Sequence, residues 1–498
     1  MNSFISSLNN QQNYTRTENG ALAHKSTNSA LYDLFAFGGA YRKRSDADAI
    51  TLFSNALYEN ELYALKCLFY LRDVRGGQGE RRFFRTVYRW LCINHIDIAL
   101  RNIALIPEYG RWDDLIYICE GTPAEKIAFS IIEKQLLLDT KCKTPSLLAK
   151  WMPSENASSK ETARVANKLR SSLSLSHKQY RKILSELRTR IKVVEKLMSS
   201  NQWDQIEFDK IPSKAGLIYK NAFARRDLIK AKYEAFIKDK STKVNATTLY
   251  PYEVVEKALD ACHYKMEDSE RVAVEKYWDN LPDYFNGSTH SILPVVDTSG
   301  SMYGTPINVA IGLGMYAAER NRGAFKDHYI SFASRPQLIH IEGADLTDKV
   351  MRIYRTNLCD NTNLEAVFDL LLNMIISGKA KVEDLPDTIV VISDMQIDEG
   401  TRSWNDWGRG NSSSYWTTDS AATEMEKIRN SWLHYGIKIP KLVYWNVDAR
   451  DNTILDSGPD ISFVSGFSPV LFEQVVSGKT GTDLMMDKLN SNRYMAIT

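Results

Sequence analysis

The sequence predicts two parts in series. An all-α region, a HEAT-like helical repeat or bundle, spans residues 29–284, and an α/β doubly wound domain spans 285–498. Three observations predict this. Residues 30–284 carry apolar side chains at three- and four-residue steps and few strand-like runs. After Tyr284-Phe-Asn-Gly287 the texture changes to alternating apolar strands and amphipathic helices. Two of those strands, residues 291–296 and 388–393, run directly into an aspartate, Asp297 and Asp394.

The elements follow in order. Residues 1–28 are rich in Asn, Gln, Ser and Thr and are expected to be mobile. Residues 50–71 read as one amphipathic helix striped by Leu52, Ala56, Leu62, Leu65, Leu68 and Phe69. Further helices are predicted at 83–91, 98–105, 115–118, 124–138, 217–238 and 252–263. The clearest is 180–198, where Tyr180, Ile183, Leu184, Leu187, Ile191, Val194 and Met198 form the stripe. Beyond 287 the expected order is strand 291–296, helix 306–321, strands 328–333 and 337–342, helix 364–376, strand 388–393, helix 420–434, strands 441–447 and 461–464, and helix 469–477. Such alternation implies a mostly parallel sheet.

A 498-residue chain with 44% hydrophobic and 25% charged residues has the composition of a globular protein of two or three domains. No run approaches the ~20 apolar residues of a membrane span, and residues 1–20 lack the apolar core of a secretion signal. The six cysteines are scattered without a CxxC pair, so buried free thiols are expected rather than disulfides or zinc. The net charge of +2 conceals an asymmetry. Residues 141–250 hold 24 basic and 10 acidic residues, 24 − 10 = +14, whereas residues 281–498 hold 19 and 27, 19 − 27 = −8. The basic segment is either a polyanion-binding footprint or a set of helix faces docked on the acidic part.

Asp297-Thr-Ser-Gly-Ser301 sets a carboxylate and two hydroxyls on alternate residues after a buried strand. Thr362, in the turn Asp360-Asn-Thr-Asn-Leu-Glu365, and Asp394 can supply further oxygens. In open parallel sheets ligands bind at the carboxyl ends of strands. Hard oxygen donors of this kind suit Mg²⁺ or Mn²⁺. The competing reading is a plain turn or helix cap. After Asp394 comes a Gly/Ser-rich segment with Trp404, Trp407 and Trp416. It is read either as a surface for a partner or nucleobase or as a loop folded on its own surface. A second motif, Asp73-Val-Arg-Gly-Gly-Gln-Gly-Glu-Arg-Arg82, surrounds three glycines with Arg75, Arg81 and Arg82. It reads as a phosphate cradle or as a tight interhelical turn; it lacks the Gly-Lys-Ser/Thr of a P-loop. Lys178, Arg181, Lys182, Arg188 and Lys192 line the remaining faces of the 180–198 helix.

The set Asp297, Ser299, Ser301, Thr362 and Asp394 resembles the five-residue metal ion-dependent adhesion site of the von Willebrand factor A domain. Five blocks also resemble a family known as a domain of unknown function, with members in viruses, bacteria and plants. They are DVRGGQGERRFFR (residues 73–85), YGRWDDL (109–115), AKWMPSE (149–155), YRKILSELR (180–188) and the Lys210-Ile-Pro-Ser213 stretch leading to Phe223. The family looks related to the Ro autoantigen, whose TROVE module is a ring of HEAT-like repeats closed by an A domain. That resemblance implies binding of small or misfolded non-coding RNA on the basic helical surface, and a divalent ion at the ring's edge. No RNA-contacting residue of Ro transfers individually, and the tryptophan segment departs from a minimal A domain.

The expectation is therefore an RNA-binding protein with a Mg²⁺ (or Mn²⁺) adhesion site for an acidic ligand. The candidate RNA contacts are Arg75, Arg81, Arg82, Lys178, Arg181, Lys182, Arg188, Lys192, Trp404, Trp407 and Trp416. A cytoplasmic monomer is expected (in the host cytoplasm if the chain is viral), with no membrane partner and no DNA specificity. The alternative is a metal-dependent protein adaptor without RNA. A phosphoester hydrolase is disfavoured, because Ser299 follows Asp297 at the second position with no second acid or base in the motif, and His290 precedes the strand.

Overall fold

The computed structural model describes residues 13–16, 22–191, 193–356, 363–396, 424–450, 454, 460–479 and 481–498. The N-terminal region is helical. Its helices of eight residues or more are α1 (Ala30–Phe37), α2 (Asp46–Glu59), α3 (Glu61–Arg72), α4 (Arg81–Asn94), α5 (Trp112–Cys119), α6 (Glu125–Lys141), α7 (Lys160–Ser172), α8 (His177–Arg190), α9 (Ser213–Arg225), α10 (Asp227–Lys238), α11 (Pro251–Ala258) and α12 (Asp268–Asp279). Local signals fix their ends. Ser45 and Asp48 form a capping box at α2, and Ser176 and Gln179 form one at α8.

Several helices expected as single elements are split. The 50–71 helix breaks at Asn60, which has φ −158° and ψ 104°. Its side chain accepts from the Tyr63 N–H, so Asn60 ends α2 and caps α3 at once. The 180–198 helix ends at Arg190 and resumes at Val194–Ser199. The 217–238 helix divides at Arg226 into α9 and α10. In each case the apolar spacing survives the break, so periodicity alone misses it.

Of the segment 1–28 expected to be mobile, residues 13–16 and 22–28 are described, and these are tied to the fold. β1 (Tyr14–Arg16) and β2 (Leu22–His24) pair antiparallel, and His24 bridges to Ile454. Asp33 accepts from the Ser26 and Thr27 hydroxyls at 2.5 and 2.8 Å, which ties this segment to α1.

The C-terminal part is a six-stranded mixed sheet in the order β5-β4-β3-β6-β7-β8. The strands are β3 (Ile292–Asp297), β4 (His328–Phe332), β5 (Leu338–His340), β6 (Thr388–Ser393), β7 (Lys441–Asn446) and β8 (Ile461–Ser465). All pairs are parallel except β4–β5. Pro294 is tolerated in β3 because the β4 ladder starts only at Val295. The accompanying helices are α13 (Thr305–Arg320), α14 (Leu346–Arg355), α15 (Leu364–Ile376), α16 (Glu424–His434) and α17 (Gly481–Leu489). Sequence reading missed α14 and α17, both short. The expected helix at 469–477 is a short helical pair, Pro469–Leu471 and Phe472–Val475.

The two parts share one hydrophobic core, running from Ala23 to Ile497, with a satellite core around Phe208, Phe223 and Tyr233. α13 lies directly on β3: a Cβ on Gly314 would sit 2.3 Å from Val296 Cγ2. On its other side α11 approaches just as closely, since a Cβ on Gly312 would sit 2.8 Å from the Tyr252 nitrogen. Cys67, Cys92 and Cys119 are buried free thiols as expected, whereas Cys142 and Cys262 are exposed. Among the described residues no helix is long and apolar enough to cross a membrane.

Candidate metal centre

β3 and β6 are adjacent and parallel, so their carboxyl ends bring Asp297 and Asp394 to one edge of the sheet. Both are buried, at 0% and 1% exposure. Asp297 Oδ1 accepts the Ser299 N–H at 2.9 Å, which folds the turn back over the strand end. Its Oδ2 accepts the Ser393 hydroxyl at 2.6 Å. The Ser299 and Ser301 hydroxyls lie 3.1 Å apart. Asp394 Oδ1 accepts the Gln396 N–H at 3.2 Å. Asp394 Oδ2 is buried and accepts no hydrogen bond. The turn between β6 and Gln396 is strained, with Met395 at φ +63°.

The electrostatics follow from burial. Asp297 is pushed up from 3.8 to about 6, first by burial and then by the charge of Asp394. Burial also raises Asp394, against the lowering influence of the Gln396 amide, the Ser301 hydroxyl and Arg450. Two interacting buried carboxylates with an unsatisfied oxygen are costly without a cation. Among the described residues no three of His, Cys, Asp and Glu gather as a metal cage, so the donor set is two carboxylates supplemented by hydroxyls. These hard oxygens fit Mg²⁺ or Mn²⁺ held by Asp297, Ser299, Ser301 and Asp394. Thr362 lies outside the described residues.

Sequence reading missed two members of this edge. Ser393 orients Asp297, and its position beside Asp394 was the available signal. Arg450, on the loop after β7, donates to the Ser301 carbonyl at 2.7 Å and stands 3.6 Å from Asp394 Oδ2. Nothing in the sequence marks it. His290 bonds Thr388 at 2.8 Å, at the opposite end of β3 and β6.

Of the two readings of the glycine-rich motif, its internal contacts favour the tight interhelical turn. The Gln78, Gly79 and Glu80 N–H groups donate inward, to the Tyr70, Asp73 and Leu71 carbonyls at 3.1, 3.1 and 2.7 Å. Asp73 is fully buried and accepts Arg493 at 2.9 and 3.0 Å and the Tyr494 hydroxyl at 3.1 Å. Arg75 donates to the Glu108 carbonyl at 2.9 Å, and Arg82 pairs with Asp46 at 2.6 Å. Arg81 is exposed. Partial desolvation of its guanidinium, together with the charges of neighbouring Arg111 and Arg85, lowers its pKa.

On α8 the basic residues separate into two groups. Lys178, Arg181 and Lys182 are exposed, with Lys182 3.7 Å from Glu186. Arg188 is turned inward, donating to the Ala149 and Met152 carbonyls at 2.8 and 2.9 Å and to the Ser154 hydroxyl at 3.1 Å. Its guanidinium holds the 149–154 segment and is not a surface charge, contrary to expectation. Lys192, Trp404, Trp407 and Trp416 lie outside the described residues.

Residues 291–492 match a family model described as a domain of unknown function (DUF7788). The crystal structure of the Deinococcus radiodurans Ro (RSR) protein aligns with 93% of this chain and 99% of its own, at 13% identity and a TM-score of 0.41. That likeness is too loose to carry residues across. Uncharacterized protein L728 of Acanthamoeba polyphaga mimivirus is 30% identical over 519 residues, spanning 95% of this chain and 86% of the relative. Residues 17–134 and 133–286 match the model described as domain of unknown function (DUF2828). With more than half of its length matched, and a relative similar over nearly all of it, the chain belongs to the DUF2828 family.

Proposed function

We propose that this chain is a binding protein whose sheet edge acts as a von Willebrand A-type adhesion site. Asp297, Ser299, Ser301 and Asp394 hold a divalent ion, and the ion accepts a carboxylate or phosphate oxygen of an acidic ligand. One observation carries the reading: buried Asp394 Oδ2 has no hydrogen-bond partner, at a strand end that it shares with buried Asp297. Titration of the purified chain with Mn²⁺, followed by calorimetry, tests it. Saturable binding abolished by Asp394→Asn is expected, and no binding by the native chain refutes it.

RNA is the favoured acidic partner, because Lys178, Arg181 and Lys182 present three exposed cations on α8, with Glu186 3.7 Å from Lys182. Phosphate contacts of this kind release counterions, so the affinity should fall steeply with salt. Reversing these three charges should weaken binding and flatten the salt slope by about three counterions, at roughly 0.9 for each phosphate no longer neutralised. Unchanged RNA affinity would favour a protein ligand at the metal edge. The reading is of binding rather than turnover.

A further inference from the structure

The Arg450 guanidinium stands where a cation is wanted. It lies 3.6 Å from Asp394 Oδ2, the buried oxygen without a hydrogen bond. The same nitrogen donates to the Ser301 carbonyl at 2.7 Å, so it touches two of the metal-binding residues. Its side chain is 36% exposed while that of Asp394 is 1% exposed, so the guanidinium has solvent to move into and the carboxylate does not.

The backbone that carries Arg450 is fastened to the helical part. The Ala449 N–H donates to the Ala40 carbonyl at 3.1 Å. Lys43 pairs with buried Asp448 at 2.6 Å. Arg44 donates to the Arg450 carbonyl, and Arg82 in turn donates to the Arg44 carbonyl at 2.6 Å. With the main chain held at these points, the side chain is the part of Arg450 able to change place.

We infer that Arg450 is a tethered counter-cation of the sheet-edge site, occupying Asp394 when no divalent ion is bound and displaced when one enters. This inference rests on the divalent-ion reading above. The physical reason is direct. A divalent ion and a guanidinium cannot share one carboxylate oxygen without repulsion. The native arginine therefore weakens divalent binding and keeps the buried carboxylate compensated in its absence. Arg450 thereby sets the ion concentration at which the site fills.

Mn²⁺ titration of the full chain decides it, comparing the native protein with Arg450→Gln and Arg450→Lys. Loss of a half-exposed competing charge should tighten Mn²⁺ binding on the order of fivefold to tenfold in Arg450→Gln. Arg450→Lys, which keeps the charge, should bind close to the native value. Thermal unfolding supplies a second readout: in chelator Arg450→Gln should melt below the native chain, and Mn²⁺ should raise its midpoint by more. Equal or weaker Mn²⁺ binding by Arg450→Gln overturns the inference and leaves the metal site standing. Absence of Mn²⁺ binding in all three proteins overturns both.

Discussion

Replacing Asp297 by Asn should make the ion-free protein more stable and the ion-loaded protein less so. The Asp297 carboxyl rises from 3.8 to about 6 because it is fully buried beside Asp394. That difference corresponds to about 3 kcal/mol between its two protonation states. The sign follows from linkage. Below about pH 4 the group is protonated in both folded and unfolded chains and contributes nothing. As pH rises from 4 through 6 the unfolded chain releases its proton first, so folding stability falls, and above 6 the full cost is present. Asparagine removes that cost at neutral pH. It keeps the acceptor for the Ser299 N–H but loses the charged acceptor of the Ser393 hydroxyl, now at 2.6 Å. Such a bond contributes about 1.5 kcal/mol. The net expectation is a gain of about 1–2 kcal/mol for Asp297→Asn in chelator. A ligand at a hundred times its dissociation constant stabilises the folded state by about 2.7 kcal/mol. Saturating Mg²⁺ should therefore lift the native chain past the variant, which gains nothing. Denaturant midpoints at neutral pH, in chelator and then in Mg²⁺, give both orders. A variant less stable than the native chain in chelator, or a Mg²⁺ shift equal in the two, would refute the reasoning.

Two further outcomes concern the frame that carries the site. Asp114 is fully buried and accepts Arg72 at 2.6 and 2.8 Å, Arg85 at 2.6 Å and the Arg111 N–H at 2.9 Å. Asp114→Asn leaves buried guanidinium charge opposite a neutral amide and should cost about 3 kcal/mol. Asp46→Asn, which breaks the exposed pair with Arg82, should cost less than about 1 kcal/mol; equal midpoint shifts would contradict this. Gly77→Ala would place a Cβ 1.9 Å from the Tyr70 carbonyl oxygen. It should destabilise by about 3 kcal/mol or abolish folding, whereas Gly300→Ala, with open space around the new atom, should leave the melting temperature unchanged.

What could be read from the sequence depended on how local the signal was. Asp297 and Asp394 were legible because each closes a short, mostly apolar run, and such runs become adjacent central strands. Ser299 and Ser301 came with the turn. Arg450 was not legible, since its place depends on β7 lying next to β6 and on a loop tied to residues 40–44. The basic segment was legible as charge but not as surface. Arg181 and Arg188 sit on the same helix, yet one faces solvent and the other binds three groups on the 149–154 segment. Composition does not distinguish them, because the difference lies in which carbonyls the tertiary fold leaves unpaired nearby. The glycine-rich motif misled for a related reason. Its arginines and close-approach glycines are the features of an anion cradle, but the Gln78, Gly79 and Glu80 amides already have partners within the turn, and Gly77 is packed against the Tyr70 carbonyl.

The same contacts bear on how the two parts act together. Residues 38–44 touch the sheet at Ser465, where Gly39 N–H donates to the hydroxyl at 3.0 Å, and touch the loop after β7 through Ala40, Lys43 and Arg44. The glycine-rich turn braces that segment through Glu80, which pairs with Arg42 at 2.9 Å, and through Arg82. Its other side is clasped by Arg493 and Tyr494 from the C-terminal end. A continuous chain of contacts therefore joins the glycine-rich turn to the sheet edge, but continuity alone transmits nothing unless some member has two arrangements. The shared core and the close backbone approaches at Gly312 and Gly314 argue against hinge motion between the parts. The half-exposed Arg450 side chain is a member with room to move, so any coupling between ion occupancy and the helical surface would pass as an exchange of charge at Asp394 rather than as a rotation of domains.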